Sequence, residues 1–146
     1  MQVLNNATHA GKADLEGFNR IFGDDPAYDP AYLQLIWRGD QPVAAAGAWH
    51  DTVDGEPWGM IHWVGVDLHH RRQGLGKAVV SAALRVLQDR GFHKAFLGTQ
   101  AWRLPAIAAY LRLGFEPWPH DPPTKQAAGR DAWDRIMRDM RAWRSD

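Results

Sequence analysis

The sequence predicts an α/β or α+β single domain in which helices cover a largely central sheet. Three observations carry this. Apolar runs of strand length, Leu33 to Trp37, Val43 to Trp49 and Trp58 to Val66, are separated by glycine-containing turns. The best helical pattern in the chain follows them, with Leu75, Ala78, Val79, Ala82, Ala83, Val86 and Leu87 at offsets 0, 3, 4, 7, 8, 11 and 12. A short strand and further helical segments come after it, and helices and strands in this order must share one core. The length of 146 residues agrees with one domain, 1–146, large enough to bury most of that core.

Each element has its own reason. Leu15, Phe18, Ile21 and Phe22 lie at helical spacing, so a first amphipathic helix is expected over Lys12 to Phe22, ended by Gly23-Asp24-Asp25-Pro26. An acidic, turn-rich stretch leads to Pro30. Its Asp24, Asp25 and Asp29 read either as solvated turn acids or as attractors of a cationic ligand. Arg38-Gly39-Asp40-Gln41 joins the first two apolar runs into a hairpin, and Asp54-Gly55 marks a second turn. Met60 to Val66 is apolar on both faces, as a central covered strand would be. Gly91 suits a left-handed cap after the long helix, and Lys94 to Thr99 reads as a short strand. Pro105 opens another helix, which Gly114 closes. Phe115 begins a last extended piece, kept short by Pro117, Pro119, Pro122 and Pro123. A C-terminal helix is expected at about 129–144, with Trp133, Ile136, Met137 and Met140 as its apolar stripe. Asp131 and Asp134 near its start and Arg138, Arg141 and Arg144 near its end suit the helix dipole. That stripe must cover either its own sheet or a second subunit, so a homodimer stays open.

Composition narrows the function classes. Lys and Arg number 17 against 17 Asp and Glu, and the formal net charge is zero, so a nucleic-acid partner has no global electrostatic basis. The absence of Cys excludes disulfides, thiolate zinc sites and cysteine nucleophiles, and fits a reducing, cytoplasmic compartment. The longest apolar stretch, Val43 to Trp49, is far too short to span a membrane. The run Met1 to Asn6 lacks the pattern of a signal peptide.

The chemistry is concentrated in Arg71-Arg72-Gln73-Gly74-Leu75-Gly76, between a buried strand and the best helix. The first N–H groups of a helix have no internal partner and carry partial positive charge, and glycines let them approach a ligand closely. The result is an anion cradle. His69, His70, Arg71, Arg72 and Lys77 flank it, and no acid occurs between Leu68 and Gln88. A pyrophosphate is the natural guest. The run lacks the Gly-Lys-Ser/Thr ending of a Walker loop and the glycine spacing of a dinucleotide fingerprint. An ordinary strand-to-helix turn is the plainer alternative.

Val64-Gly65-Val66-Asp67-Leu68-His69-His70-Arg71-Arg72-Gln73-Gly74-Leu75-Gly76 resembles the acyl-CoA loop of the GCN5-related N-acetyltransferase superfamily, with Arg71, Gly74 and Gly76 on its signature positions. Leu104-Pro105-Ala106-Ile107-Ala108-Ala109-Tyr110-Leu111-Arg112-Leu113-Gly114-Phe115 resembles that family's Pro-Ala-Ile…Tyr…Gly-Phe helix. The pair covers much of 58–118, the expected acyl-CoA core. Trp63 to Val66 is also locally similar to mycothiol synthase domains. The resemblance implies a mixed central sheet flanked by helices, with the C-terminal helix standing where relatives have another strand. It implies direct acyl transfer from acetyl-CoA to the amine of a small-molecule or peptidic acceptor, without a covalent enzyme intermediate; no metal is expected. Backbone near Val64, Val66 and Leu68 would hold the pantetheine arm and polarise the thioester. Arg71, Arg72, Gln73, Gly74, Leu75, Gly76 and Lys77 would hold the phosphates. Arg103 stands where the family often has Asn, which helps hold the CoA arm, and could contact a phosphate or ribose.

The role of Tyr110 follows from the same resemblance, and that of His62 from its place on the strand. Tyr110 matches the tyrosine that protonates the departing thiolate; its alternative is a core ring packed with Ile107. His62 is the candidate base, with a reference pKa of about 6.5. On a regular strand His62, Val64 and Val66 share one face, which puts His62 roughly 13 Å from the carbonyl site and calls for a water relay. A structural histidine is the alternative, and Glu56, Asp51 and His50 are rivals. Trp49, Trp58 and Met60 are candidates for an acceptor pocket or for core. His50, His62, His69 and His70 lack a recognised zinc spacing. Two other readings stand beside the enzyme: a non-catalytic acyl-CoA sensor or interaction module, and a phosphate-loop nucleotide binder.

Overall fold

The computed structural model describes residues 25–26, 28–118 and 130–143. The expected first helix over Lys12 to Phe22 lies outside them. By packing, the chain divides into two units: Met1–Thr52 with Pro57–Leu97, and Val53–Glu56 with Gly98–Asp146.

The first unit is built on a sheet of four strands in the order β1 (Leu33–Arg38), β2 (Gln41–Val53), β3 (Glu56–Val66) and β4 (Ala95–Leu97). β1 runs antiparallel to β2, with Leu33 opposite Gly47 and Arg38 opposite Gln41. β2 and β3 are joined by Asp54-Gly55, whose φ values of +50° and +79° are those of a type I′ hairpin turn. β4 is parallel to β3, with Gly59 opposite Ala95, so the sheet is mixed. The crossover between them is helix α1 (Leu75–Asp89), as a parallel pair requires.

β3 is an inner strand of the sheet, as expected, and β2 is the most covered. All six residues from Val43 to Ala48 are buried, whereas β3 buries Gly59, Ile61 and Gly65. Alanine and glycine side chains in the middle of β2 let neighbouring elements come close; a Cβ on Gly47 would stand 3.1 Å from the His62 carbonyl oxygen. α1 packs on β1 and crosses β3, where a Cβ on Gly59 would lie 2.7 Å from Leu87 Cδ1. Its buried residues are Val79, Val80, Ala83 and Leu87. The expected stripe is therefore rotated by about one position: Val80 is inside and Ala78 exposed. The helix ends in a Schellman motif, with Phe92 N–H donating to Leu87 O at 3.0 Å and Gly91 N–H to Gln88 O at 2.9 Å. Beyond it, the Arg90 guanidinium pairs with the Asp29 carboxylate and lies 4.6 Å from the Tyr32 ring centroid. Asp29 also caps the 3₁₀ turn Pro30–Tyr32 through Ala31 N–H, so this carboxylate is committed to the scaffold.

In the second unit, α2 (Leu104–Arg112) packs against α3 (Arg130–Trp143) through Ile107, Ala108, Ile136 and Met140, with Leu104, Leu111 and Trp133 around them. The C-terminal stripe, expected on the sheet or a second subunit, packs its Ile136 and Met140 on a helix. Met137, expected in that stripe, is exposed. From Phe115 to Trp118 the chain forms no strand; Trp118 O instead accepts from Trp133 Nε1 at 3.1 Å. Among the described residues no helix is long and apolar enough to cross a membrane.

Candidate functional site

The loop after β3 is folded by its own side chains. Asp67 Oδ1 accepts from His69 N–H at 3.0 Å and lies 3.0 Å from His70 Nδ1, closing the 3₁₀ turn Leu68–His70. Arg71 Nε donates to Val66 O at 3.3 Å, which turns the chain back over the strand end. Arg72 and Gly74 then take left-handed φ values of +62° and +77°. Gly74 immediately precedes α1 and has no side chain to cap it. The first intrahelical bond to the Gly74 carbonyl comes from Ala78 N–H at 3.0 Å. The N–H groups of Leu75, Gly76 and Lys77 are therefore left without an intrahelical acceptor or a side-chain cap.

Space and charge complete the cradle. A Cβ on Gly74 would meet no described atom within 4 Å, so φ, not crowding, demands glycine there. One on Gly76 would sit 3.5 Å from Val66 Cγ2, an ordinary contact. Arg71, Arg72, Gln73 and Lys77 are exposed, as is Leu68, while Val64 and Val66 are half-buried. The structure thus brings the predicted residues Val64, Val66, Leu68 and Arg71 to Lys77 into one continuous surface. It also brings one that sequence reasoning missed. Arg38, at the end of β1, donates from Nη2 to Gln73 Oε1 at 3.4 Å. No signal within the sequence could have found it, since the contact depends on where the hairpin ends.

These groups fit the diphosphate of coenzyme A. The N–H groups of the first turn point along the helix axis with the positive end of the dipole, and the flanking guanidiniums and ammonium add charge.

The strand leading into the loop is not a regular pleat. Trp63 has φ of +56°, a left-handed value that is uncommon for a bulky residue and of the kind that marks a β-bulge. The expectation that His62, Val64 and Val66 share one face assumed strict alternation; the interruption at Trp63 removes that assumption. Trp63 itself packs on Ala45 of β2. Burial holds the half-buried His62 imidazole below its ordinary pKa, so it is neutral at pH 7 and able to accept a proton.

The rivals to His62 have other surroundings. His50 is stacked between Trp49 and Phe92, with centroids 6.0 and 5.6 Å away. Phe92 follows the C-terminal end of α1, about 20 Å from the phosphate loop by the helix rise. His50 is thus a packing ring at the far end of the helix. Asp51 is exposed and accepts from Thr52 N–H at 2.7 Å, and Glu56 is the exposed first residue of β3. Trp49 faces Tyr32 at 5.9 Å, and Trp58 lies 6.4 Å from Phe96 with Lys94 Nζ over its ring. Among the described residues no three His, Asp or Glu side chains form a metal-holding group.

Tyr110 and Arg103 belong to the second unit. Phe115 N–H donates to Tyr110 O at 3.1 Å within the cap of α2, and the two rings meet edge-on at 6.2 Å. Tyr110 is half-buried. Burial raises its phenol pKa, and the Arg103 charge opposes that rise in part. The phenol therefore keeps its proton at neutral pH. Arg103 precedes α2 and lays its guanidinium carbon 5.6 Å from the ring centroid of Trp102, which is 69% exposed.

Comparisons with known proteins agree with this geometry. Residues 5–115 match the acetyltransferase (GNAT) family. Over 96 residues the chain is 34% identical to a mycothiol acetyltransferase of Catenulispora acidiphila, a match covering 62% of this chain and 30% of the relative. Over 62 residues it is 45% identical to that of Saccharomonospora viridis, covering 42% of this chain and 20% of the relative. The chain spans less than a third of the length of these relatives. In three dimensions it superposes on glucosamine-6-phosphate N-acetyltransferase from Arabidopsis thaliana with a TM-score of 0.64, over 86% of this chain and 88% of that one. Sequence identity there is 20%, so that likeness is one of fold.

Proposed function

The chain belongs to the acetyltransferase (GNAT) family, and from that premise we propose that it moves the acetyl group of acetyl-CoA directly to the amine of a small-molecule or peptidic acceptor. The observation that most supports this is the open first turn of α1. Three N–H donors, set by left-handed Gly74 and flanked by cations, follow the loop that leaves a strand with an interrupted pleat.

Bound acetyl-CoA supplies an activated acyl carbonyl and a thiolate that can leave. The protein's residues do the rest. The N–H groups of Leu75, Gly76 and Lys77 hold the diphosphate, together with Arg71, Arg72 and Gln73. Backbone groups around Val64, Val66 and Leu68 orient the pantetheine arm and the thioester carbonyl. Oriented donors of this kind are typically worth about 3 kcal/mol each when charge develops on the oxygen. His62, neutral at pH 7, takes a proton from the acceptor ammonium through water, and Tyr110 gives its proton to the departing thiolate. With no cysteine in the chain, there is no protein thiol to carry the acyl group between the two substrates.

The test is acceptor-dependent loss of acetyl-CoA thioester absorbance over a panel of amines, with product masses recorded. Mycothiol-related amines lead the panel because of the relatives' name. For acceptors without a thiol, free-thiol release is an equally clean readout, since the protein contributes no background. Acetylated product is the expected result. Tight CoA binding with no transfer to any amine would replace this reading by an acyl-CoA sensor.

A further inference from the structure

We propose that Arg38 is an additional donor-binding residue, reaching a phosphate of the CoA nucleotide half from the β1–β2 turn. The inference rests on the phosphate-cradle reading above and extends it to a strand that lies outside the loop.

Backbone pairing places the turn beside the loop. Arg38 is the last residue of β1 and pairs with Gln41, the first of β2. Two residues further, Val43 O accepts from Asp67 N–H at 2.9 Å, just past the end of β3. The tip of the hairpin and the start of the phosphate loop are therefore neighbours. The Arg38 side chain spans what remains, reaching Gln73 Oε1 at 3.4 Å, and Gln73 is the residue before Gly74.

The guanidinium is underused where it stands. Among the described residues its one hydrogen bond is long, made to a neutral acceptor and exposed. It forms no ion pair there, not even with Asp40 two positions on. An exposed bond of that kind contributes little by itself. The planar fork keeps further donors for a partner, and its geometry matches the oxygens of a carboxylate or a phosphate. By accepting from Arg38, Gln73 Oε1 also leaves the Gln73 amide hydrogens to face elsewhere, so one contact sets two polar groups at the rim. Arg71, Arg72 and Lys77 are the nearby cations, Asp67 is held by His69 and His70, and no acid occurs from Leu68 to Gln88.

Calorimetric binding of CoA, 3′-dephospho-CoA and pantetheine to the wild type, to Arg38→Gln, Arg38→Lys and Gln73→Ala, and to the double variant Arg38→Gln with Gln73→Ala tests this. Arg38→Gln is expected to weaken CoA roughly five- to tenfold, the size of a lost charge-assisted contact at an exposed rim, and to leave pantetheine unchanged. Arg38→Lys keeps most of the affinity. A loss for CoA but not for 3′-dephospho-CoA assigns the 3′-phosphate; equal losses for both assign the diphosphate. If Arg38→Gln has no effect once Gln73 is already alanine, Arg38 only positions Gln73 and the proposal is overturned. An unchanged CoA affinity in Arg38→Gln overturns it as well. Should the wild type bind pantetheine as tightly as CoA, the cradle reading fails first, and that outcome is distinct from the others.

Discussion

At the scale of single residues, the two groups assigned to proton transfer are set apart by what surrounds them. Burial depresses the His62 pKa and raises that of Tyr110, so near pH 7 the first is an unprotonated acceptor and the second a protonated donor. For His62 the folded pKa lies below the unfolded one. The unfolded chain takes up a proton as pH falls through about 6.5, while the folded chain resists until lower pH. His62 therefore contributes stability above that value and loses it as pH falls toward the folded pKa. Urea midpoints at pH 7.5 and 5.5 should show a drop in the wild type that is smaller in His62→Gln. Tyr110→Phe keeps the ring and its edge contact with Phe115 and removes the proton. It should lower kcat by about 100-fold, the scale of one general acid, with CoA affinity unchanged. A variant with wild-type kcat would reassign the proton donor.

Individual elements show what a linear reading can and cannot supply. From Leu33 to Arg112 the order of strands and helices, the two hairpin turns and both glycine-capped helices were legible because each depends on local spacing and local backbone chemistry. Gly74, Gly91 and Gly114 all have the positive φ that their places imply. The bulge at Trp63 was not legible, since tryptophan carries no signal for a left-handed φ; tertiary packing against Ala45 holds it there. Arg38 and the Arg90–Asp29 tie were hidden for another reason: their partners are far away in sequence. The stripe on α1 was misplaced by one position because small residues spread its apolar face widely. Gly59 was likewise unremarkable in sequence, yet α1 presses on it. A Cβ there would lie 2.7 Å from Leu87 Cδ1 and 3.1 Å from Cδ2, and Leu87 is 1% exposed, so it has no room to withdraw. Gly59→Ala should cost about 1–3 kcal/mol of stability, the usual penalty of overpacking. Leu87→Val in the same chain should recover part of it, which chemical denaturation of the single and double variants will read.

For the whole molecule, the charge balance of zero conceals a local concentration of cations around one helix start. Recognition of the donor is then an affair of one surface and not of net charge. Acetyl-CoA should raise the melting temperature, reaching about 2.7 kcal/mol of stabilisation at a hundredfold excess over Kd. ATP at the same concentration should do less, because it lacks the pantetheine arm of acetyl-CoA; the reverse order would favour a nucleotide binder. The uncapped first turn of α1 has one more use. Its three amides exchange with solvent deuterium unhindered until a ligand takes them, whereas those deeper in the helix are already protected. Leu75, Gly76 and Lys77 are thus built-in reporters, and residue-resolved deuterium uptake with and without CoA should slow at these three positions before any label or probe is added.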